Sequence, residues 1–324
     1  MNMRLLSILN FVGLLAVTGS SLAQGTEYPS RPIRLVVAYP PGGPVDLIAR
    51  FMAEPLGRAL GQPVIVDNRV GAGGVIGSDA VAKASPDGYT LLLASTPLSI
   101  QETLNPKMPY SALRDFTPIA KVAEGPQVLL VSTAVPARTM REFIDYAKAQ
   151  DGKLNYASPS SGGAAHLATE LFKTRAGLKA MQVNYNGNGP AELALIGGQV
   201  EFMFSSLTSS LPQVASGRLR ALGVTTQNRL PNAPDIPAIA ETLPGFEVTA
   251  WFGVLGPARI PPAIVDKLNA EINKIMEHQE MKKRLAALYL DAIPASPAQF
   301  GEFIKQNIVM WGKVIKESGT TQTN

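Results

Sequence analysis

The sequence contains no cysteine and only two histidines, His166 and His278, among its 324 residues. Without cysteine there is no disulfide, thiol nucleophile, cysteine-ligated metal or lipid-modified N-terminal cysteine. Two imidazoles are also too few for a histidine-rich metal site. We therefore expect the protein to hold neither a metal ion nor a cofactor.

The chain also lacks a strong charge of either sign. It has 29 Lys and Arg residues against 25 Asp and Glu residues, which gives a formal net charge of +4. The longest basic cluster, Lys282–Arg284, has acidic neighbours and is typical of a solvated helix face. Because nucleic-acid binding requires a denser basic surface, we expect no nucleic-acid partner. We also expect a monomer.

The one long apolar run lies at the N-terminus. Arg4 gives this segment a basic start, Leu5–Ala16 is mostly apolar, and Ser21–Ala23 is a small-x-small site. This order is typical of an export signal that is cleaved after Ala23. The run is shorter than the ~20 residues that a membrane span needs, which disfavours an anchor. The sequence therefore predicts residues 1–23 as a signal peptide and the periplasm as the location of the mature protein.

The rest of the chain alternates strand and helix patterns. Ile33–Ala38 has the pattern of a buried strand, and Asp46–Leu60 that of an amphipathic helix, which we expect Pro55 to kink or split. Such alternation predicts doubly wound α/β sheets with helices on both faces. A second set of βα units fills about residues 128–250, and Trp251–Leu255 returns the chain to the first set.

Gly125–Pro126 marks the first passage between the two sets and separates two short apolar strands. Near the C-terminus, Pro262–Leu288 follows the spacing of one long helix, and Ser296 with Gln299 predicts the N-terminal cap of another. We therefore predict two α/β domains. Domain 1 comprises residues 28–127 plus 251–324, and domain 2 comprises residues 128–250.

Three glycine-rich turns precede predicted helices. They are Pro40–Asp46, Ser160–His166 and Asn184–Pro190, and none of them contains lysine or arginine. The first N–H groups of a helix have no partner within the helix and attract anions. Ligands of open α/β sheets bind beyond the carboxyl ends of the strands, where these turns lie. The sequence therefore predicts an anion-binding cleft whose donors are backbone N–H groups.

Polar pairs lie at equivalent positions in the chain. Ser95-Thr96 and Ser205-Ser206 each follow a predicted strand and are expected at the same rim. Asp46 has two possible roles, because it either caps the first turn or contacts the ligand. The candidate ligand-binding residues are Gly42, Gly43, Pro44, Val45, Asp46, Ser95, Thr96, Ser158, Ser161, Gly162, Gly163, Ala164, Tyr185, Asn186, Gly187, Ser205 and Ser206.

His166 raises the alternative of an exported hydrolase. Ser158 or Ser161 would then be the nucleophile, but the sequence has no Gly-x-Ser-x-Gly elbow. A capping or packing role for His166 is therefore favoured. Gly71–Gly77 resembles a dinucleotide-binding fingerprint only superficially, because its spacing is wrong and the expected acid is missing. We predict a structural loop there.

Motifs along nearly the whole mature length occur in the order typical of one family. They are Pro41–Asp46, Leu60–Arg69, Pro86–Leu92, Tyr156–Ser158 with His166–Ala168, Gly197–Val200, and Pro244–Glu247 with Trp251. In this order they resemble the substrate-binding proteins of tripartite tricarboxylate transporters, the TctC or Bug family. The resemblance implies two α/β domains of the type II periplasmic-binding-protein kind, joined by crossing strands, with the ligand in the cleft between them.

The same resemblance implies a function. Such a protein captures a small organic carboxylate, often a di- or tricarboxylate, and delivers it to subunits of an inner-membrane transporter without catalysing a reaction. A Ser/His hydrolase is one alternative. A sensor domain that feeds a membrane kinase is another, because it would use the same ligand-bound state.

Three positions depart from the pattern that the resemblance suggests. The family often has serine or threonine where Val45 stands, a hydroxyl residue near Gly163, and aspartate where Ser205 stands. Fewer hydroxyls imply a less polar pocket, and the lost acid removes a partner for a ligand ammonium. We therefore expect a mono-, di- or tricarboxylate without an amino group, with an aromatic or other apolar body.

Overall fold

The computed structural model describes residues 28–159 and 162–320. The predicted signal peptide, residues 1–23, lies outside the described residues, as do Ser160 and Ser161 in the second glycine turn. In the part of the chain that is described, no helix has both the length and the apolar character to cross a membrane.

Three parallel strands form the beginning of the sheet. The first strand pairs with the second on one side and with the third on the other. Aliphatic residues dominate the first and third strands, as expected where helices cover both faces. The elements are β1 (Ile33–Val37), α1 (Pro44–Leu60), β2 (Val64–Asn68), α2 (Val75–Ala82), β3 (Thr90–Ser95) and α3 (Pro97–Leu104).

A second set of parallel strands and helices follows, and the chain then returns to the first set. The strand order across the sheet is β2-β1-β3-β9-β4-β7-β5-β6, with β8 and β10 also paired to β4. The remaining elements are β4 (Phe116–Ser132), α4 (Met140–Ala149), β5 (Asn155–Ser158), α5 (Ala164–Ala176), β6 (Met181–Asn184), α6 (Asn188–Ile196), β7 (Phe202–Ser206), α7 (Leu207–Ala215), β8 (Leu219–Val224), β9 (Thr249–Pro257), α8 (Pro262–Glu277), α9 (Gln279–Ala286), β10 (Asp291–Ala292) and α10 (Pro297–Ser318).

Strand β4 connects the two halves of the sheet. Residues 116–126 of β4 pair with β9, and residues 127–132 pair with β7 and β8. The break predicted at Gly125–Pro126 is wrong, because these residues pair with Ala250 and Thr249 of β9. The fixed φ of proline is compatible with an extended strand, so pairing with β9 keeps the chain straight here.

Three helix predictions have different outcomes. Helix α1 continues through Pro55, so the predicted split is absent, and its apolar face stays buried on both sides of the proline. The single helix predicted over Pro262–Leu288 is wrong, because His278 has an extended backbone with ψ of 134° and separates α8 from α9. The predicted cap of α10 is confirmed: the Ser296 hydroxyl accepts from the Gln299 N–H, and the Gln299 side chain accepts from the Ser296 N–H.

Apolar cores lie on both faces of each half of the sheet. In the first half, α1 and α8 cover one face, while α2 and α10 cover the other. In the second half, α6 and α7 cover one face, and α4 and α5 cover the other. The α4–α5 core also contains Leu104 from α3 and Trp311 from α10, so these two helices connect the halves. The predicted fold class, two doubly wound α/β units with a cleft, is confirmed. The domain boundaries stay a prediction.

Candidate functional site

The three predicted glycine turns meet at one cavity of about 710 Å³. The cavity lies beyond the carboxyl ends of β1, β5 and β6, as the topology requires. None of the described residues that line it carries a charge. Nine of the predicted residues line the cavity: Gly42, Gly43, Pro44, Val45, Gly162, Gly163, Asn186, Gly187 and Ser206.

Several helices start at this cavity without a capping side chain. The N-cap residues of α1, α5 and α6 are Gly43, Gly163 and Gly187, and none of them has a side chain that could accept from the helix. Ser206, the N-cap of α7, makes no capping bond with its side chain either. The first N–H groups of these helices therefore keep their capacity to bind an anion.

Asp46 stabilises the first glycine turn through hydrogen bonds. It is buried, and its carboxylate accepts from the Gly42 N–H and the Arg50 Nε at 2.9 Å each, and from the Asn68 Nδ2 at 2.9 Å. Burial alone would raise the pKa of Asp46, but the hydrogen bonds from Arg50, Gly42 and Asn68 hold it below its ordinary value. Asp46 does not line the cavity, so of its two possible roles the structure shows the local one.

His166 stabilises the second turn in the same way. Its imidazole is buried, and Nδ1 accepts from the Gly162 N–H at 2.9 Å. The predicted packing role is therefore present, and this nitrogen is occupied by the backbone. Burial is the main reason that the pKa of His166 is lowered to about 4. The charge of Lys173 lowers this pKa further, and the charge of Glu170 opposes the shift.

We expect His166 to make the fold sensitive to mild acid. An unfolded histidine titrates near pH 6.5 and folded His166 near pH 4, so between these values the unfolded state binds more protons. The contribution of His166 to the free energy of unfolding is complete above pH 6.5. It falls by about 3 kcal/mol in all as the pH decreases towards 4. Urea unfolding at a series of pH values measures it. His166→Asn, which keeps an acceptor, is expected to flatten the profile in this window; an unchanged slope would contradict the assignment.

The other predicted residues do not line the cavity. Ser95 hydrogen-bonds to Tyr39, and the Thr96 hydroxyl accepts from the Trp251 N–H at 3.0 Å. Ser158 is buried at the end of β5, and Ser205 donates to Glu192. Ala164 and Tyr185 border the lining without belonging to it, and Ser161 lies outside the described residues. The side chains of Ser95, Thr96 and Ser205 therefore hydrogen-bond within the protein.

Several described lining residues were not predicted from the sequence. Helical spacing after the turns is a signal for Leu47, Asn188 and Ser209, whereas Gly73 and Gln101 lie on other segments and reach the cavity through tertiary packing. Gln101 of α3 is one of them: it is buried, and its Oε1 has no hydrogen-bond partner among the described residues. The missed residues are Tyr39, Pro40, Pro41, Leu47, Gly73, Pro97, Gln101, Pro159, Asn188, Thr208 and Ser209.

The described residues do not form a metal-binding site. Across residues 28–159 and 162–320, no group of three or more His, Asp or Glu side chains is placed to hold a metal ion. The cavity therefore offers backbone N–H groups, side-chain amides and hydroxyls within proline-rich walls.

Comparisons with known proteins agree on one family. Residues 48–320 match the family described as "Tripartite tricarboxylate transporter family receptor". The chain is 38% identical to Protein BugT of Bordetella pertussis over 322 residues, which cover 96% of this chain and 99% of BugT.

Solved structures give the same result. A Rhodopseudomonas palustris protein with adipate, Rpa4515, is 32% identical, has a TM-score of 0.84, and aligns over 91% of this chain and 99% of its own. MatC of the same species, with bound malate, is 31% identical, has a TM-score of 0.79, and aligns over 89% and 100%. These relatives are solute-binding proteins and not enzymes, as the sequence predicts for this chain. The chain belongs to the tripartite tricarboxylate transporter receptors, the TctC or Bug family of periplasmic solute-binding proteins.

Proposed function

We propose that this protein captures a small organic carboxylate in the cavity between its two domains and delivers it to a tripartite tricarboxylate-type membrane transporter. One observation carries the proposal: uncapped starts of α1, α5, α6 and α7 meet in a cavity without charged side chains. A helix start attracts negative charge, so several of them around one space favour an anion. The adipate and malate bound to related proteins are small organic acids of this kind.

The shape of the cavity supports a ligand with an apolar body. Its volume of about 710 Å³ lies within the usual range for small-molecule pockets. Proline rings and the side chains of Val45 and Leu47 form part of the wall and have no donor to offer. The ligand carboxylate is therefore expected at the glycine turns, with the carbon skeleton against the prolines.

Mass spectrometry of ligand released from gently purified protein tests the proposal, followed by calorimetry with the acid identified. We expect the acid to be recovered unchanged and to stabilise the fold by about 2.7 kcal/mol at a hundred times its Kd. Conversion of the acid would favour the Ser/His hydrolase instead. Failure to bind any organic carboxylate would contradict the proposal.

Export, assembly and delivery belong to the same proposal. We place the mature protein in the periplasm as a monomer that begins at Gln24, with residues 28–127 plus 251–324 as one domain and 128–250 as the other. Delivery requires transporter subunits that recognise the ligand-bound form. N-terminal sequencing of the periplasmic protein tests the cleavage site, and uptake of the identified acid by cells with and without the receptor tests delivery.

A further inference from the structure

A buried carboxylate lies directly behind one wall of the cavity. Glu192 is in the second turn of α6 and is only 6% exposed. Its Oε1 accepts from the hydroxyls of Ser205, Ser209 and Ser210 at 2.9, 3.0 and 2.9 Å. The described residues show no ion pair for it. A buried carboxylate without a cation is costly unless hydrogen bonds satisfy it, and three hydroxyl donors provide that here.

These bonds determine where the serine protons lie. An ionised carboxylate only accepts, and each hydroxyl has one proton to give. Two other acceptors lie within reach of Ser209, the Ser206 carbonyl at 3.1 Å and the Ser205 hydroxyl at 3.4 Å, and both belong to the protein. Ser209 in turn accepts from the Asn188 Nδ2 at 3.3 Å. Whichever of these acceptors it uses, Ser209 gives its one proton to the protein, and the lone pair that does not accept from Asn188 is left to face the cavity.

Of the three serines that donate to Glu192, Ser209 lines the cavity, whereas Ser205 and Ser210 are fully buried. Its oxygen therefore faces the ligand as an acceptor, and the carboxylate behind it strengthens that character because hydrogen bonds in a chain polarise one another. The buried acids near the starts of α1 and α5 differ from Glu192, because Asp46 is paired with Arg50 and Glu170 with Lys173.

We propose that Glu192, acting through Ser209, makes the α6–α7 corner a hydrogen-bond acceptor that selects carboxylates carrying a hydroxyl or ammonium group. The inference rests on the proposed function, and it names the ligand class within it. The expectation of a ligand without an amino group followed from Ser205 standing in place of an acid. Glu192 supplies an acid to Ser205 from another helix, so the reason for that expectation no longer holds.

Calorimetry with matched acids tests the preference. One set is succinate, malate and aspartate, and a second is phenylacetate, mandelate and phenylglycine; within each set the members differ in carrying no donor, a hydroxyl or an ammonium. We expect a donor-bearing member to bind roughly ten-fold tighter than the plain acid, or more. Tighter binding of the ammonium member than of the hydroxyl member would show that the charge of Glu192 attracts the ligand. Equal binding of these two would show the hydrogen bond alone.

Two serines on the same carboxylate oxygen provide a matched control. Ser209→Ala removes the acceptor that faces the cavity, so the preference is expected to fall to about two-fold or less. Ser210→Ala removes a buried hydroxyl that lies at nearly the same distance from Glu192, 2.9 Å against 3.0 Å, and the preference is expected to persist. Glu192→Gln, which keeps the shape and removes the charge, is expected to weaken the preference for ammonium most. Circular dichroism confirms that each variant is folded.

The outcomes separate the two proposals. Plain acids that bind as tightly as their hydroxyl and amino relatives, or an undiminished preference in folded Ser209→Ala, would overturn the role of Glu192 and leave the receptor function standing. A protein that binds no member of either set would contradict the receptor function itself.

Discussion

Gly43→Asp is expected to weaken carboxylate binding by roughly 100-fold or more, about 2.7 kcal/mol, while the protein stays folded. Gly43 is the N-cap of α1, with an extended backbone at φ −79° and ψ 168°. A Cβ added there would meet only the Pro40 carbonyl oxygen, at 3.8 Å, which is an ordinary contact. The position therefore accepts a side chain without strain, and the effect on binding can be separated from folding.

The expected loss has two causes. Aspartate is a favourable N-cap residue, so its carboxylate would accept from the free N–H groups of the first turn and occupy them. It would also place a negative charge where the ligand carboxylate is expected. Because glycine is itself a tolerated N-cap, stability is expected to change by only a few tenths of a kcal/mol, in the direction of a more stable helix.

Two substitutions at the same position separate these causes. Gly43→Asn provides the same capping oxygen without charge, so an intermediate loss of affinity is expected. Gly43→Ala adds a methyl group and no acceptor, and its affinity is expected to stay within a few-fold of the parent protein. Calorimetry with the acid recovered from the protein measures all three. Unchanged affinity in folded Gly43→Asp would remove this turn from the binding site.

The fold and the turns of the site are readable from sequence because both depend on local signals. Apolar strands that end in glycine turns predict β1 with α1 and β5 with α5, and the cap of α10 is visible in Ser296 and Gln299. The passage of β4 through Gly125–Pro126 is not visible, because its partner residues in β9 lie more than 100 positions away in the chain. The Gly-Pro pair locally predicts the end of a strand, but pairing with β9 keeps the strand continuous.

The polar network behind the cavity escapes sequence analysis for the same reason. Glu192 lies on α6 and its hydroxyl partners lie at the end of β7 and on α7, so tertiary packing brings them together. Gln101 reaches the cavity through the placement of α3 beside the second glycine turn. By contrast, Asp46 and His166 each bond to a backbone N–H four residues away, and the sequence predicts this local role as one possibility for both, although the bond from Asn68 to Asp46 is tertiary.

Gly162→Ala is expected to cost about 2–5 kcal/mol of stability and to weaken ligand binding. Gly162 has φ of +71°, a left-handed conformation that costs other residues roughly 1–2 kcal/mol. Its added Cβ would lie 2.3 Å from Cδ2 of Leu104 and 3.2 Å from Nε2 of Gln101, both on α3. Overpacking of this kind costs typically 1–3 kcal/mol. Relief of the clash would move the second turn, and with it the free N–H groups of α5.

Gly42→Ala is the matched control for the backbone contribution. Gly42 also has a positive φ, +86°, but a Cβ there would meet nothing within 4 Å. Its cost is therefore expected to be the conformational strain alone, roughly 1–2 kcal/mol. Urea unfolding of both variants measures the difference. Equal costs for Gly42→Ala and Gly162→Ala would mean that the contact with α3 is unimportant.

A double-mutant cycle between Gly162→Ala and Leu104→Ala isolates the contact itself. Leu104→Ala alone removes a buried side chain and is expected to cost about 2–5 kcal/mol. In the double variant the new methyl group enters the space that leucine leaves, so the combined cost should be smaller than the sum of the two single costs. The left-handed strain is untouched by this change and remains in the double variant. Additive losses of stability would show that Leu104 of α3 does not contact the methyl group added at Gly162. A shortfall of about 1 kcal/mol or more would show that α3 and this turn form one packed unit.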